Sequence, residues 1–368
     1  MLAAVVVLAG CRNHRAQPAE PRTVAIGCIM PLTGGAAALG KACEQAVRLA
    51  VEQFNTSRQP GEPALRLVST DDQAQTARSV AAFRKLVNAD KAVAIVGPLT
   101  SGGTLAVAPV AELAHVPILS PGASAAAVSS AGRYTFRNEI SEAYGATKQA
   151  DLVWGKLGWR RVHVVGVAND YGASAVAAFV PRFTELGGEI VSKSAFPTAT
   201  TDFRTVLAPL RQEKADGVFF VFQDAIELRS FLKQRVELGI KLPVCTTPVF
   251  ADATLRKDLG PLADGVIYSY YGTFDVADQA VQTAAFVRDY KAAYGVEPSY
   301  YSALGYDAAN LLLLALRNAR FDNALLCDRL LAIRGYQGVT GETTFDAHGD
   351  VQKPVRLRVV RDGHDVWY

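Results

Sequence analysis

The sequence predicts an α/β protein built from two successive doubly wound, Rossmann-like units. Three observations lead there. Short apolar runs rich in β-branched residues alternate with longer amphipathic stretches, the rhythm of βαβ units with parallel strands. That rhythm restarts after Phe136. The chain of 368 residues is longer than one ordinary domain, and with 50% hydrophobic residues it can fill two cores.

In order, residues 24–29 read as the first strand, 41–54 as its helix and 65–69 as the second strand. A helix over 76–88, a strand at 92–96, a helix after Ser101 and a strand at 117–119 follow. In the second unit a helix covers about 144–156, and residues 162–167 form a buried strand. The helix at 171–186 is closed by Gly187-Gly188, the residue type favoured at helix C-termini. Strands are expected near 189–194, 217–222, 243–245 and 265–270, then long helices at 276–294 and 301–320. The tail reads as a hairpin, 355–360 and 366–368, turning at Asp362-Gly363. It is too small for a third domain, so it completes the first two lobes and the chain crosses between them more than once.

Residues 1–10 are almost wholly apolar and give way to Arg12-Asn13-His14-Arg15. A run this short cannot cross a ~30 Å hydrocarbon core as a helix, which takes ~20 residues. It suits the apolar region of a signal peptide. Leu8-Ala9-Gly10-Cys11 resembles the lipobox of bacterial lipoproteins, in which the cysteine is acylated and becomes the mature N-terminus; an ordinary secretory signal is the alternative. No Lys or Arg precedes the apolar run, which points to a start codon further upstream. Residues 1–21 are therefore assigned to a signal peptide and a flexible tether. The remaining Cys28, Cys43, Cys245 and Cys327 form no CxxC pair and sit in apolar settings that favour buried thiols over disulfides.

A formal charge of +3 with scattered basic residues gives no reason to expect nucleic acid or an anionic membrane surface as partner. Enzyme signatures are missing too: no GxSxG, HExxH or P-loop, and no GxGxxG after the first strand. The five histidines show no metal-ligand spacing, so neither metal nor cofactor is expected. Asp71-Asp72 ends a strand and is expected to order the adjoining loop.

Two strand-to-helix turns carry the functional signal. Gly97-Pro98-Leu99-Thr100-Ser101-Gly102-Gly103 follows the strand at 92–96, and Ser120-Pro121-Gly122-Ala123-Ser124 follows the strand at 117–119. Open α/β sheets bind ligands beyond the carboxyl ends of their strands. A helix N-terminus there offers free N–H groups and positive dipole to an anion. Small residues admit a carboxylate to the backbone, and hydroxyls add donors. Plain helix capping explains either turn alone; two on consecutive strands point to a site.

A family resemblance runs through the same landmarks. Ile26-Gly27-Cys28-Ile29-Met30-Pro31-Leu32-Thr33-Gly34, Val96-Gly97-Pro98 with Ser101, and Val116-Pro117-Ile118-Leu119-Ser120-Pro121 resemble the leucine/isoleucine/valine-binding proteins. So do Asp170-Tyr171-Gly172, Ala215-Asp216-Gly217-Val218, Gly305-Tyr306-Asp307-Ala308, and Gly338-Val339-Thr340-Gly341 with Phe345-Asp346 and Gly349-Asp350. The resemblance implies the type I periplasmic binding fold, two lobes joined by a three-crossover hinge and closing on a ligand. Lobe 1 would comprise 22–141 plus 274–351, and lobe 2 142–273 plus 352–368. It further implies an extracytoplasmic protein, at the periplasm or cell surface, that hands a small solute to ABC permease subunits and touches the membrane only through its lipid.

By the same resemblance the ligand carboxylate falls to Ser101, Gly122 and Ser124, with Ala123 between them, and a tyrosine over the ligand to Tyr171; Thr100, beside Ser101, is counted with the ligand-binding residues. One departure matters. The acid that meets the ligand ammonium in amino acid binders of this group falls on Pro248-Val249-Phe250, which carry no charge, and Leu39 replaces a nearby aromatic. Either Asp224 or Asp252 substitutes, or the ligand lacks an ammonium and the Phe222 region suits an apolar or aromatic acid, because a buried unpaired ammonium is costly. A ligand sensor on the same fold is the second function class, and an enzyme the third.

Overall fold

The structure, a computed structural model, describes residues 23–212 and 214–368. The expected signal peptide, tether and lipidated Cys11 lie outside the described residues. The first unit runs β1 (Thr23–Met30), α1 (Ala37–Thr56), β2 (Ala64–Asp71), α2 (Thr76–Asn88), β3 (Ala92–Val96), α3 (Ser101–Ala114), β4 (Ile118–Ser120) and β5 (Thr135–Arg137). Its strands form a parallel sheet in the order β2-β1-β3-β4-β5. Chain order reverses at β1, and the turns leaving β3 and β4 lie beyond the carboxyl edge. Both faces of this sheet are covered by helices, which is why β1, β3 and β4 are almost uninterrupted apolar runs.

The second unit runs α4 (Glu142–Gly155), β6 (Arg161–Val167), α5 (Asp170–Glu185), β7 (Glu189–Phe196), α6 (Arg204–Gln212), β8 (Gly217–Val221), α7 (Ala225–Glu237), β9 (Val244–Thr246), α8 (Ala253–Leu259) and β10 (Ile267–Tyr271). The chain then adds α9 (Val281–Tyr294), α10 (Tyr300–Asn318), α11 (Leu326–Leu331), a small hairpin β11 (Tyr336–Gly338) and β12 (Gly341–Thr343), and finally β13 (Val355–Arg361) and β14 (His364–Trp367). The second sheet has the order β14-β13-β10-β9-β8-β6-β7, with β13 antiparallel to both β10 and β14. Stacked phenylalanines fill its core: Phe179 on Phe219 and Phe220 on Phe231, with centroids 3.9 and 3.8 Å apart.

The tail serves both lobes. Helix α10 lies against α1, and the contact needs glycine: a Cβ on Gly305 would stand 2.6 Å from Cys43 Sγ and 2.7 Å from Cys43 O. Strands β13 and β14 then return to the second sheet. The passages between the lobes meet around a buried lysine. Lys353 donates to Asn138 Oδ1 (2.9 Å) and Thr340 Oγ1 (2.5 Å), and Asn138 donates on to Leu304 O (3.2 Å). Asp307 accepts from the backbone N–H groups of Val339 and Thr340 and from the Thr340 hydroxyl. Gly272 N–H donates to Pro354 O at 2.8 Å and Thr273 N–H to Thr340 O at 3.1 Å.

Most expected elements appear where the periodicity placed them, and the differences have physical causes. Helix α9 begins at Val281, not at 276, because two Asx turns use up the preceding backbone: Asp275 accepts from Ala277 N–H and Asp278 from Ala280 N–H, each at 3.0 Å. Helix α6, with Pro209 inside it, and helix α7, with its charged sequence, were not anticipated. The turn at Asp362-Gly363 has φ of 52° and 76°, as a tight hairpin requires. Cys28, Cys43, Cys245 and Cys327 are buried free thiols, and burial pushes Cys245 and Cys327 up to about 12. Asp71 accepts from Leu32 N–H, Thr33 N–H and Gln73 N–H and Asp72 from Ala74 N–H, so both acids order their loops.

Candidate functional site

Serine hydroxyls stitch the turns after β3 and β4 into one surface. Thr100 caps α3, accepting from Gly103 N–H at 3.2 Å. Ser120 donates to Pro98 O at 2.6 Å and accepts from Ala123 N–H at 3.0 Å. Ser101 Oγ accepts from two backbone groups of the neighbouring turn, Ser124 N–H at 3.1 Å and Ala125 N–H at 3.0 Å. A hydroxyl has two lone pairs and one proton. With both lone pairs engaged, the Ser101 proton is left to donate, and Ser101 lines a cavity.

That cavity encloses about 520 Å³ of atom-free space, its open mouth included. The first lobe contributes Leu39, Leu99, Thr100, Ser101, Gly122 and Ser124, and Tyr301 comes from α10. Facing them are Tyr171, Gln223, Pro248 and Val249 of the second lobe. Asn169 caps α5 through Gly172 N–H, which fixes Tyr171 in the first turn, and the phenol donates to Thr247 Oγ1 at 2.6 Å. Burial beside Glu142 holds the Tyr171 phenol well above its ordinary pKa.

Of the residues singled out in the sequence, Thr100, Ser101, Gly122, Ser124 and Tyr171 converge on this cavity. Ala123 is buried behind it. Phe222 is also absent from the lining, being fully buried beside Phe220 in the second core. Asp224 is the N-cap of α7, its Oδ1 accepting from Ile226 N–H (2.9 Å) and Glu227 N–H (3.0 Å); Gln223, one residue earlier, does line the cavity. Asp252 caps α8 through Leu255 N–H in the same way.

Two acids unmarked in the sequence complete the wall, Glu139 and Glu142, on the passage from β5 into α4. Glu139 Oε2 accepts from Tyr300 at 2.5 Å, and Glu142 Oε2 from Tyr271 at 3.2 Å. Burial is the main cause that pushes Glu139 up to about 7 and Glu142 up to about 8, and repulsion from Glu139 adds to the latter. The available signal was Glu139 and Glu142 spaced three apart before a helix, which reads as N-terminal charge complementing the dipole. Only the topology puts them under the cleft.

Such acids tie stability to pH. Unfolded, each titrates near 4.3; folded, Glu139 and Glu227 sit at about 7 and Glu142 at about 8. The native state therefore holds the extra protons, and this stability, complete below the unfolded pKa, is lost as pH rises through the folded values. The melting temperature of the ligand-free protein should fall between about pH 5 and pH 8, less steeply in Glu142→Gln. A flat or rising curve in both proteins would refute the assignment.

The lobes touch across the cleft. Ala126 N–H of the first donates to Ser174 Oγ of the second at 2.8 Å. A Cβ on Gly35 would stand 2.6 Å from Asp224 Oδ2 and 2.8 Å from Asp224 Cγ. The cap holds Asp224 still, so Gly35→Ala should hinder closure without entering the cavity. Ligand affinity is expected to drop about tenfold, with little change in the ligand-free melting temperature. Titration calorimetry checks this, and an unchanged affinity would show that the approach of Gly35 to Asp224 is dispensable.

Among the described residues no group of His, Cys, Asp or Glu side chains is arranged to hold a metal ion, and no helix is long and apolar enough to cross a membrane. The family profile of the periplasmic binding proteins matches residues 23–365, nearly the whole chain. The chain belongs to that family. A Leu/Ile/Val-binding protein homologue of Brucella melitensis is 25% identical over 366 residues, covering 96% of this chain and 91% of the relative. A leucine-binding protein of Thermotoga maritima superposes with a TM-score of 0.87 at 26% identity, over 94% of this chain and 97% of the other. A solute-binding protein of an ABC transporter from Rhodopseudomonas palustris, solved with 3,4-dihydroxybenzoic acid, gives 0.82 at 27%, over 94% and 95%. The fold is thus the type I periplasmic binding fold with two lobes, as these periplasmic binding proteins have it.

Proposed function

We propose that this protein is the solute-capturing lipoprotein of an ABC importer, anchored outside the cytoplasm through Cys11, and that it binds a small carboxylate of the branched-chain amino acid type. The observation that carries this is Ser101: its hydroxyl proton is uncommitted, its lone pairs are held by two backbone N–H groups, and it lines a cavity between two lobes. A donor fixed in this way is ready for an anion. The apolar walls of Leu39, Leu99, Pro248, Val249 and Tyr301 suit an aliphatic side chain.

Residues 22–141 with 274–351 move against 142–273 with 352–368 in this account, hinged at the passages that meet around Lys353. The open lobes take the ligand first on the Thr100, Ser101, Gly122 and Ser124 surface. Closure then brings Tyr171 and Gln223 over it, and the permease recognises the closed form. An aromatic acid is the second reading, favoured by the uncharged stretch at Pro248 and Val249 and by the ligand of the Rhodopseudomonas relative.

Thermal-shift screening of the purified protein against amino acids and small organic acids tests the proposal. A ligand at about a hundred times its Kd stabilises by about 2.7 kcal/mol, enough for a clear shift. The expected hit is a carboxylate with an apolar body. A set of shifts confined to sugars, polyamines or cations would refute it.

A further inference from the structure

We propose that the groove between the end of α10 and α11 seats the phosphate of an anionic phospholipid, laying the far pole of the first lobe on a membrane. Where that membrane lies rests on the anchored reading above; the chemistry of the groove does not.

A chain reversal makes the groove. Beyond α10, Arg320 N–H donates to Arg317 O and Phe321 N–H to Leu316 O, both at 2.9 Å. Arg320 and Phe321 turn through φ of 51° and 58°, and Phe321 stands edge-on to Phe54 of α1 with centroids 6.2 Å apart. The chain doubles back, α11 packs on α10, and Arg320, Arg329 and Arg334 come to line one groove.

Arginines near helix C-termini ordinarily answer the helix dipole or a nearby acid. Arg317 does so, pairing with Glu62 at 3.0 and 3.1 Å, and Arg334 donates to Leu331 O and Ile333 O at 2.5 and 2.8 Å. Arg320 and Arg329 are exposed and have no hydrogen-bond or ion-pair partner among the described residues. The acids nearest in sequence are engaged elsewhere, Asp328 with Arg133 at 2.5 Å and Asp322 with Ala324 N–H at 3.0 Å. The groove thus gathers three guanidinium groups and no carboxylate. Guanidinium N–H groups meet phosphate oxygens in pairs.

Composition and place favour a lipid over a free anion. Leu325 stands 39% exposed at the groove, and Tyr336 adds a half-buried ring with a polar tip, as side chains at membrane interfaces do. The groove also lies at the end of the lobe where the chain enters: Thr23 pairs with Ala64, two residues from the Glu62 that holds Arg317. Cys11 precedes Thr23 by twelve residues, a reach of at most about 40 Å, and Arg12, Arg15 and Arg22 outnumber Glu20 along it. A lipid on Cys11 keeps this pole near the headgroups, while the cleft opens beyond the opposite, carboxyl edge of the sheet. The balanced charge of the sequence hides the patch, because only the reversal gathers its members.

Vesicle co-sedimentation of the full chain carrying Cys11→Ser, which leaves no thiol to acylate, tests the proposal. Vesicles with about 30% phosphatidylglycerol should bind it about tenfold or more tighter than pure phosphatidylcholine. Arg320→Glu with Arg329→Glu should weaken the anionic binding about tenfold or more. Lys241→Glu with Lys257→Glu, an equal charge change at exposed positions of the second lobe, should weaken it little. Residues 1–22 are common to all variants, so differences among them belong to the fold. Should the double Glu variant not fold, Arg320→Gln with Arg329→Gln takes its place. Equal losses in the arginine and lysine pairs, or no preference for anionic vesicles, overturn the proposal. Calorimetry with inorganic phosphate separates the sources: phosphate bound through Arg320 and Arg329 without a vesicle preference assigns a free anion and overturns the lipid. Palmitate labelling of the wild type against Cys11→Ser reads the anchor separately; no label overturns the anchored reading and leaves the vesicles to judge the groove.

Discussion

Lys353→Met is expected to lower the free energy of unfolding by about 3–5 kcal/mol. The ammonium is buried and joins the passages between the lobes, donating to Asn138 Oδ1 and Thr340 Oγ1. Burial lowers its pKa and the nearby Asp307 carboxylate opposes that shift. Methionine matches the length but removes the charge, leaving Asp307 buried beside no cation and Asn138 short of a donor. Urea denaturation measures the difference; a loss below about 1 kcal/mol would mean that the backbone bonds from Val339 and Thr340 satisfy Asp307 unaided. The same variant should alter closure, because the lysine sits where the passages between the lobes meet.

Ser101→Ala is expected to weaken ligand binding about tenfold to a hundredfold. Two losses combine: the donor offered to the ligand carboxylate, and the acceptor that holds Ser124 N–H and Ala125 N–H in place. The second loss slackens the turn carrying Ser124, another wall of the cavity. Calorimetry with the strongest carboxylate of the thermal-shift screen measures the effect. An affinity equal to wild type would remove Ser101 from the site, whatever the ligand.

Much of this was legible before any coordinates. Runs such as 24–29 and 162–167, continuous and β-branched, are what strands buried on both faces require, so sheet membership followed. The small, hydroxyl-bearing turns at Thr100-Ser101 and Gly122-Ala123-Ser124, on two consecutive strands, pointed to the edge of the sheet where Thr100, Ser101, Gly122 and Ser124 line the cavity. Asp224 shows the limit of such reasoning. Its chemistry suits an ammonium and a helix cap equally, and only its bonds to Ile226 and Glu227 show the cap. Helix α7 went unread for the same reason, since its start signal had been assigned to the ligand. Glu139 and Glu142 were hidden differently: they stand where the chain leaves β5 and enters α4, and the place of that passage under a cleft is a property of the whole topology. Nor does periodicity foresee the β11–β12 hairpin, whose strands are three residues long and whose turn at Val339-Thr340 is held by Asp307 some thirty residues away.

A crystal structure of the protein with its tightest carboxylate ligand tests the central claim most directly. The account predicts closed lobes, with the ligand carboxylate within hydrogen-bonding distance of Ser101 Oγ and the Ser124 turn, and Tyr171 lying over the ligand. A ligand seated elsewhere, for example in the surface groove lined by Arg320, Arg329 and Tyr336, would contradict it.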